Sequence, residues 1–337
     1  MENIIVGWGL SGACMAWQHY FDQKKFQVYH VDMTKSSRVA AGIVNPVVFK
    51  RLNMSWKADV LLPFIDDFYP KIEKLLGVEL LRKFSIHRVL TNIEEENNWS
   101  VKMADAPIDQ WLSFSENAQV DPNDHFKIEF GLGSVHSTGH LKVNLFLDAS
   151  KDFFEKEGVR FIPELFDYNT IDDNIDYFFC EGAAILNNPF FEAVKMRPTH
   201  GDILTIKTKV EVCTDVINRN IFILPIGNCE YIVGSTYNWK IETPIPTEDG
   251  KAELIEKLAK LVNFDYEIIN QEAGLRPTLA DRMPVLGTHS IRPNLHVLNG
   301  LGTKGVMVGP YCAAELYAAV YKGGTIDSTV DLKRFYK

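Results

Sequence analysis

The sequence predicts a mixed α/β protein, with α/β units at both ends of the chain around a largely antiparallel β region. Three observations predict it. The chain opens as strand, glycine turn, helix and strand. Residues 201–236 alternate in polarity and carry many β-branched side chains. The end then returns to strand, a second glycine loop and a helix.

Composition is consistent with this. A chain of 337 residues is long enough for two domains or one elaborated domain, and 46% hydrophobic with 23% charged residues is ordinary for a globular enzyme. The net charge of −9 argues against nucleic acid or an anionic membrane as partner. The five cysteines form no C-x-x-C pair, and the nine histidines show no H-E-x-x-H spacing, so neither a disulfide framework nor a metal site is expected. No basic stretch or cleavage site precedes Ile4, and no apolar run approaches the ~20 residues of a membrane span. A cytoplasmic location is expected; the oligomeric state is left open.

In order along the chain, Ile4, Ile5 and Val6 form a short buried strand, followed by a helix through Ala13, Ala16 and Trp17 and a strand over 26–31 that ends at Asp32. Apolar residues at helical spacing predict a helix over 58–77, stopped by Gly77. Residues 84–135 read as short strands and loops, with Glu94, Glu95 and Glu96 in a solvated loop. A helix is expected over 141–157, then strands at 159–162 and 177–180. DILTIKTKVEV, NIFILP and EYIVGST read as antiparallel strands, 247–262 as an amphipathic helix, 295–298 as a strand and 310–321 as the last helix.

GWGLSG, residues 7–12, fits G-x-G-x-x-G in the right context: it follows a strand, opens a helix, and has Asp32 twenty residues beyond Gly12. Gly7 permits the tight turn, Gly9 lets backbone approach a pyrophosphate, and Gly12 lets helix and strand pack closely. The helix N-terminus offers unpaired N–H groups to phosphate, and Asp32 suits an adenosine ribose. The motif alone does not separate NAD from FAD. Trp8 either shields this loop or packs at the surface. GLGTKG, residues 300–305, fits the same pattern, with Asp327 twenty-two residues beyond Gly305, but only ten residues follow Asp327. A second dinucleotide site is therefore not expected; both loops are read as serving one cofactor.

Further stretches carry a resemblance. SSRVAAGIVNP (36–46), FFCEGAA (178–184), RPTHGDILTI (197–206), FILP with EYIVGSTY (222–237), GLRPTLADRMPVLG (274–287) and NGLGTKGVMVGP (299–310) run in order over nearly the whole chain. With the opening glycines and Asp32 they resemble the D-amino-acid oxidase and glycine oxidase family of FAD enzymes. The resemblance implies a Rossmann-like FAD-binding domain, discontinuous in sequence (1–57, 135–200 and 270–337), and a substrate domain with a mixed, largely antiparallel sheet (58–134 and 201–269). It implies non-covalent FAD contacted by Gly7, Gly9, Leu10, Ser11, Gly12, Asp32, Met33, Ser37, Arg38, Ala41, Gly42, Gly182, Arg276, Gly302, Thr303, Lys304, Gly305 and Val306. It also implies oxidation of the C–N bond of a small-molecule amine or amino acid, hydride passing to flavin, the imine hydrolysing, and electrons returning to oxygen or another acceptor. Such chemistry rests on orientation and electrostatics, so no dyad or triad is sought.

Two residues are candidates for catalysis. Arg276 in GLRP matches the family arginine that binds a substrate carboxylate, a task suited to a planar guanidinium. Lys304, in the second loop, can place positive charge beside the flavin or the substrate. His200 and Arg197 are read as structural. The chain also departs from its relatives: Phe222 and Thr303 stand where glycine-oxidase-like members have tyrosine and arginine, and the flavin-side lysine of sarcosine-oxidase-like members falls near apolar Ile232. Tyr231, Tyr237 and Trp239 are candidate pocket residues. The competing readings are an NAD-dependent dehydrogenase, a flavin oxidase acting on a modified tRNA base, and a flavin-binding protein with little catalysis.

Overall fold

The computed structural model describes residues 2–31, 36–121 and 123–336. Among these residues the strands form a six-stranded sheet, a nine-stranded sheet and a two-stranded ribbon.

The six-stranded sheet runs Val285–Thr288, Leu295–Asn299, Tyr177–Phe179, Asn3–Val6, Phe26–Tyr29, Phe161–Ile162. All its pairings are parallel except that of Val285–Thr288 with Leu295–Asn299. Ile5 lies opposite Phe178 on one side and Val28 on the other, and all three are fully buried. A strand buried on both faces needs no polar alternation, which is why IIV and YFF read as unbroken apolar runs. Helices Leu10–Phe21 and Gly305–Tyr321 pack together, and Val143–Lys156 is tied to the first of them by a hydrogen bond from Trp17 Nε1 to Ser150 Oγ at 2.9 Å.

The nine-stranded sheet runs Glu267–Arg276, Thr199–Lys207, Glu230–Gly234, Phe222–Gly227, Val216–Asn218, Leu81–Val89, Leu132–Leu141, Ile43–Val44, with Leu112–Ser115 also paired to Leu132–Leu141. Its pairings are antiparallel except that of Val216–Asn218 with Leu81–Val89. The fold is thus the mixed α/β arrangement the sequence predicts. The expected boundaries at 134/135 and 269/270 fall inside strands Leu132–Leu141 and Glu267–Arg276 of this sheet.

Several elements differ from expectation. Residues 84–135 carry a nine-residue strand, Leu81–Val89, and a helix, Ile93–Lys102, so the three glutamates occupy a helical first turn. There they suit the positive end of the helix dipole, and Asn92 Oδ1 accepts the Glu95 N–H at 2.8 Å as a cap. The helix expected from residue 141 begins at Val143, because Leu141 is the last residue of a strand. DILTIKTKVEV stops being strand at Lys207, where Thr208 Oγ1 donates to the Val210 carbonyl at 2.6 Å and turns the chain. Strand Glu267–Arg276 lies at the sheet edge with a largely exposed first half, Ile269 included, so it shows no apolar alternation. Tyr231 is no pocket residue: it is buried in the core, its hydroxyl accepting the Val212 N–H at 2.9 Å.

Helix Ala58–Leu76 contains Pro63 and Pro70, which free the carbonyls of Asp59 and Asp66. Both aspartates face water, so solvent satisfies what the helix cannot. Among the described residues no helix is long and apolar enough to cross a membrane, and no group of His, Cys, Asp and Glu could hold a metal ion.

Candidate active site

The first strand ends at Gly7, whose φ of +107° suits glycine. A Cβ there would fall 2.4 Å from the Cys180 carbonyl oxygen. One at Gly12 would fall 2.0 Å from the Gly7 carbonyl oxygen. Helix Leu10–Phe21 therefore starts directly against the ends of strands Asn3–Val6 and Tyr177–Phe179, with its N-terminal residues Leu10 and Ser11 on a cavity. Ser37 Oγ accepts the Leu10 N–H at 3.1 Å and brings residues 36–39 over the loop. Trp8 is buried rather than at the surface: its ring meets Phe161 edge to face at 4.7 Å, and its Nε1 donates to the Leu147 carbonyl at 3.3 Å. Asp32 and Met33 lie outside the described residues.

The second loop ends strand Leu295–Asn299 and starts a helix at Gly305, five residues earlier than the sequence predicts. Pro310 therefore sits inside that helix, where it offers no N–H to the Val306 carbonyl. Tyr69 supplies the missing donor, its hydroxyl 2.7 Å from that oxygen. Lys304 caps the helix, and its Nζ reaches away into residues 45–55, donating to the carbonyls of Asn45 at 2.8 Å and Val47 at 3.4 Å and to Ser55 Oγ. The residue as a whole is partly exposed, but this end is enclosed, and burial lowers the ammonium to about 7. Asp327 does not serve this loop as an acid for a ribose: it pairs with Lys57 at 2.6 Å, whose hydrogen bond holds its carboxyl at about 2.

Both loops open on one cavity of about 660 Å³. Gly7, Gly9, Leu10, Ser11, Ser37, Arg38, Ala41, Gly42, Gly182, Arg276, Gly302, Thr303, Lys304, Gly305 and Val306 all line it. Among the described residues expected to contact FAD, only Gly12 lies behind the lining, as its packing role requires. Arg38 stands at the cavity and pairs with Asp148 at 2.6 Å.

Arg276 projects from the edge strand across Gly201, where a Cβ would fall 2.0 Å from Nη2. Its Nη1 donates to the His200 carbonyl at 3.3 Å and its Nη2 to the Thr236 carbonyl at 3.2 Å. No carboxylate pairs with it among the described residues, and burial lowers its pKa. Behind this wall Asp202, fully buried, accepts from Thr247 N at 2.9 Å and Gln271 Nε2 at 3.0 Å. Thr236 Oγ1 accepts the Asp202 N–H at 2.7 Å, so the carbonyls that orient Arg276 belong to a fixed frame. His200 is buried in that frame, its Nε2 2.9 Å from the Ile245 carbonyl oxygen, which fits its structural reading.

Sequence reasoning missed the rest of the lining. Ile86, Ile203 and Val216 join Phe222 in an apolar wall, and Asn218 and Ser235 add polar groups. All but Ser235, which follows strand Glu230–Gly234, come from four separate strands, and no local pattern marks which face of each strand meets a cavity. Glu181 was also missed. It lines the end near the first loop, where Tyr168 Oη donates to it at 2.6 Å and Asn188 Nδ2 at 2.8 Å, and burial raises its carboxyl. Tyr237 and Trp239 lie outside the lining, Tyr237 against the Arg276 guanidinium and Trp239 against Tyr237.

The arrangement suits an extended dinucleotide. Glycines leave no side chain between backbone and cavity, and two helix N-termini border it, where N–H groups and positive dipole ends favour negative charge. Comparison with known proteins agrees. The family described as FAD dependent oxidoreductase matches residues 3–319. The uncharacterized oxidoreductase YurR of Bacillus subtilis (strain 168) is 24% identical, with 93% of each chain covered. Glycine oxidase from Geobacillus kaustophilus superposes with a TM-score of 0.82 at 18% identity, over 99% of this chain and 97% of that one. L-proline dehydrogenase from P. horikoshii superposes with a TM-score of 0.81 at 14% identity, again over 99% and 97%. The chain belongs to the FAD-dependent oxidoreductase family, and its cofactor is FAD, which sets aside the NAD-dependent alternative.

Proposed function

We propose that this FAD-dependent oxidoreductase oxidises the C–N bond of a small amine or amino acid and that Arg276 holds the substrate's carboxylate. The observation that carries the reading is the single cavity shared by both glycine loops, residues 36–42 and Arg276. Along it, Gly7, Gly9, Leu10 and Ser11 serve the adenosine and pyrophosphate, with Gly12 packed behind them, and Ala41, Gly42 and residues 302–306 serve the flavin ring; the sequence assigns Asp32 and Met33 to the adenosine as well. Residues 1–57, 135–200 and 270–337 serve the cofactor, and 58–134 and 201–269 the substrate. The location is cytoplasmic.

FAD, held along the two glycine loops, would supply a hydride acceptor for the carbon bearing the amine and would return the two electrons to oxygen or another acceptor. The imine left behind takes up water and splits into a carbonyl compound and the freed amine. The protein's part is to hold a neutral amine in place and keep the reacting carbon dry. The Arg276 guanidinium, which meets no carboxylate among the described residues, fixes one end of the substrate, and the apolar wall of Ile86, Ile203, Val216 and Phe222 excludes water. Lys304, while protonated, adds positive charge at the wall. Likeness to glycine oxidase and L-proline dehydrogenase supports an amino-acid substrate. Phe222 and Thr303 favour one other than glycine.

The test is the visible spectrum of the purified protein, followed by anaerobic addition of amines and amino acids. Bleaching of the flavin bands by members of the panel is expected; bleaching by none would overturn the reading. Arg276→Ala should weaken carboxylate binding by ~2–5 kcal/mol, as when a buried charge pair loses one partner.

A further inference from the structure

Two large aromatic side chains stand in water beside the cavity. Tyr237 is 44% and Trp239 47% exposed, and their rings meet edge to face at 5.4 Å. The Arg276 guanidinium, part of the cavity wall, lies 5.0 Å from the centre of the Tyr237 ring. Cavity, guanidinium, tyrosine and tryptophan therefore follow one another without a break. The segment that carries the rings is fixed: Asn238 and His200 exchange backbone hydrogen bonds of 2.9 and 3.0 Å, and the Thr236 N–H donates to the Asp202 carbonyl at 3.1 Å. Rings held on such a segment can bind a flat group without first being ordered. The two carbonyl bonds of Arg276 use two of its five N–H groups, leaving donors for an anion.

We infer that Tyr237 and Trp239 form a subsite for the far end of the substrate, and that the substrate is a carboxylated amine with an aromatic or heteroaromatic group several bonds from its carboxylate. The carboxylate sits on Arg276, the amine-bearing carbon turns into the cavity, and the distant ring lies against Tyr237 and Trp239. A ringless amino acid would leave both side chains in water. A flat ring gains aromatic contact there in addition to apolar burial. This inference rests on the reading of Arg276 as the carboxylate's partner.

The experiment titrates the oxidised holoenzyme with butyrate, cyclohexylbutyrate and phenylbutyrate, following perturbation of the flavin spectrum. Phenylbutyrate should bind about tenfold more tightly than cyclohexylbutyrate, since aromatic pairing adds to apolar burial. In Trp239→Leu and in the Tyr237→Leu/Trp239→Leu double variant that preference should vanish, and Trp239→Leu, which leaves Tyr237 against Arg276, should bind butyrate as the wild type does. Retention of the flavin spectrum reports that the variants fold. Equal affinity for the two ringed ligands in the wild type overturns the inference, and so does a phenyl preference that survives the double variant. Arg276→Ala tests the underlying reading separately. Unchanged butyrate affinity in that variant sinks the role of Arg276, while the phenyl preference is still read from the ringed ligands.

Discussion

The hydroxyl of Tyr69 donates to the carbonyl oxygen of Val306 at 2.7 Å, joining residues 237 positions apart. The bond stands in for the one that Pro310 cannot make. Both partners are buried, so Tyr69→Phe leaves a carbonyl without a donor at the start of the helix that borders the cavity. A loss of about 1–3 kcal/mol is expected for such a group. Urea denaturation of the apoprotein measures it, and an unchanged midpoint would show that water replaces the phenol.

At the other glycine loop, Gly12→Ala should abolish stable FAD binding. The added methyl would meet the Gly7 carbonyl oxygen at 2.0 Å, and that oxygen belongs to backbone, which cannot step aside as a flexible side chain could. The variant should purify without flavin absorbance and regain none after incubation with FAD. A yellow protein with normal flavin content would refute the packing role assigned to this glycine.

Gly201→Ala probes the substrate end through Arg276. A methyl at residue 201 displaces the guanidinium, since it would fall 2.0 Å from Nη2. FAD content should stay normal while carboxylate affinity drops by at least about tenfold, or ~1.4 kcal/mol. Equal losses of flavin and of ligand affinity would point to general disruption instead.

Lys304 yields a prediction in pH. Burial lowers its pKa from 10.5 to about 7, so the charged form is penalised in the folded chain. Below pH 7 the folded and unfolded chains are both protonated, and the penalty is fully present. Between pH 7 and 10.5 the unfolded chain binds the extra proton, so this group's contribution to stability rises with pH. The stability of wild type relative to Lys304→Met should therefore climb from pH 7 to 10, by up to about 4 kcal/mol at ~1.4 kcal/mol per pKa unit. Chemical denaturation at a series of pH values reads this difference. A pH-independent difference would mean that the lysine is not held in a depressed state.

What the sequence disclosed and what it concealed have physical causes. The nucleotide end was legible because its parts are local: strand, glycine turn and helix stand within the first twenty-one residues. The last helix was misplaced because Pro310 normally marks a helix start, and the group that permits it in the interior, Tyr69, is remote in sequence. Strand Glu267–Arg276 was hidden by its position at the sheet edge, where NQE needs no apolar alternation. Of the apolar wall of the cavity, Phe222 was noted only as a departure from relatives. Ile86, Ile203 and Val216 were invisible, since each looks like any core residue until the strands are paired.

The order of strands in the six-stranded sheet bears on which parts of the chain the nucleotide cradle needs. Asn3–Val6 is flanked by Tyr177–Phe179, which in turn is covered by Leu295–Asn299. Asn3–Val6 has one neighbour close in sequence, Phe26–Tyr29, but its other neighbour comes from residues 177–179, and that strand's outer neighbour from residues 295–299. Pairings over such separations close late. The cradle is complete only once Leu295–Asn299 has paired, so fragments that stop short of residue 299 should have no nucleotide affinity of their own.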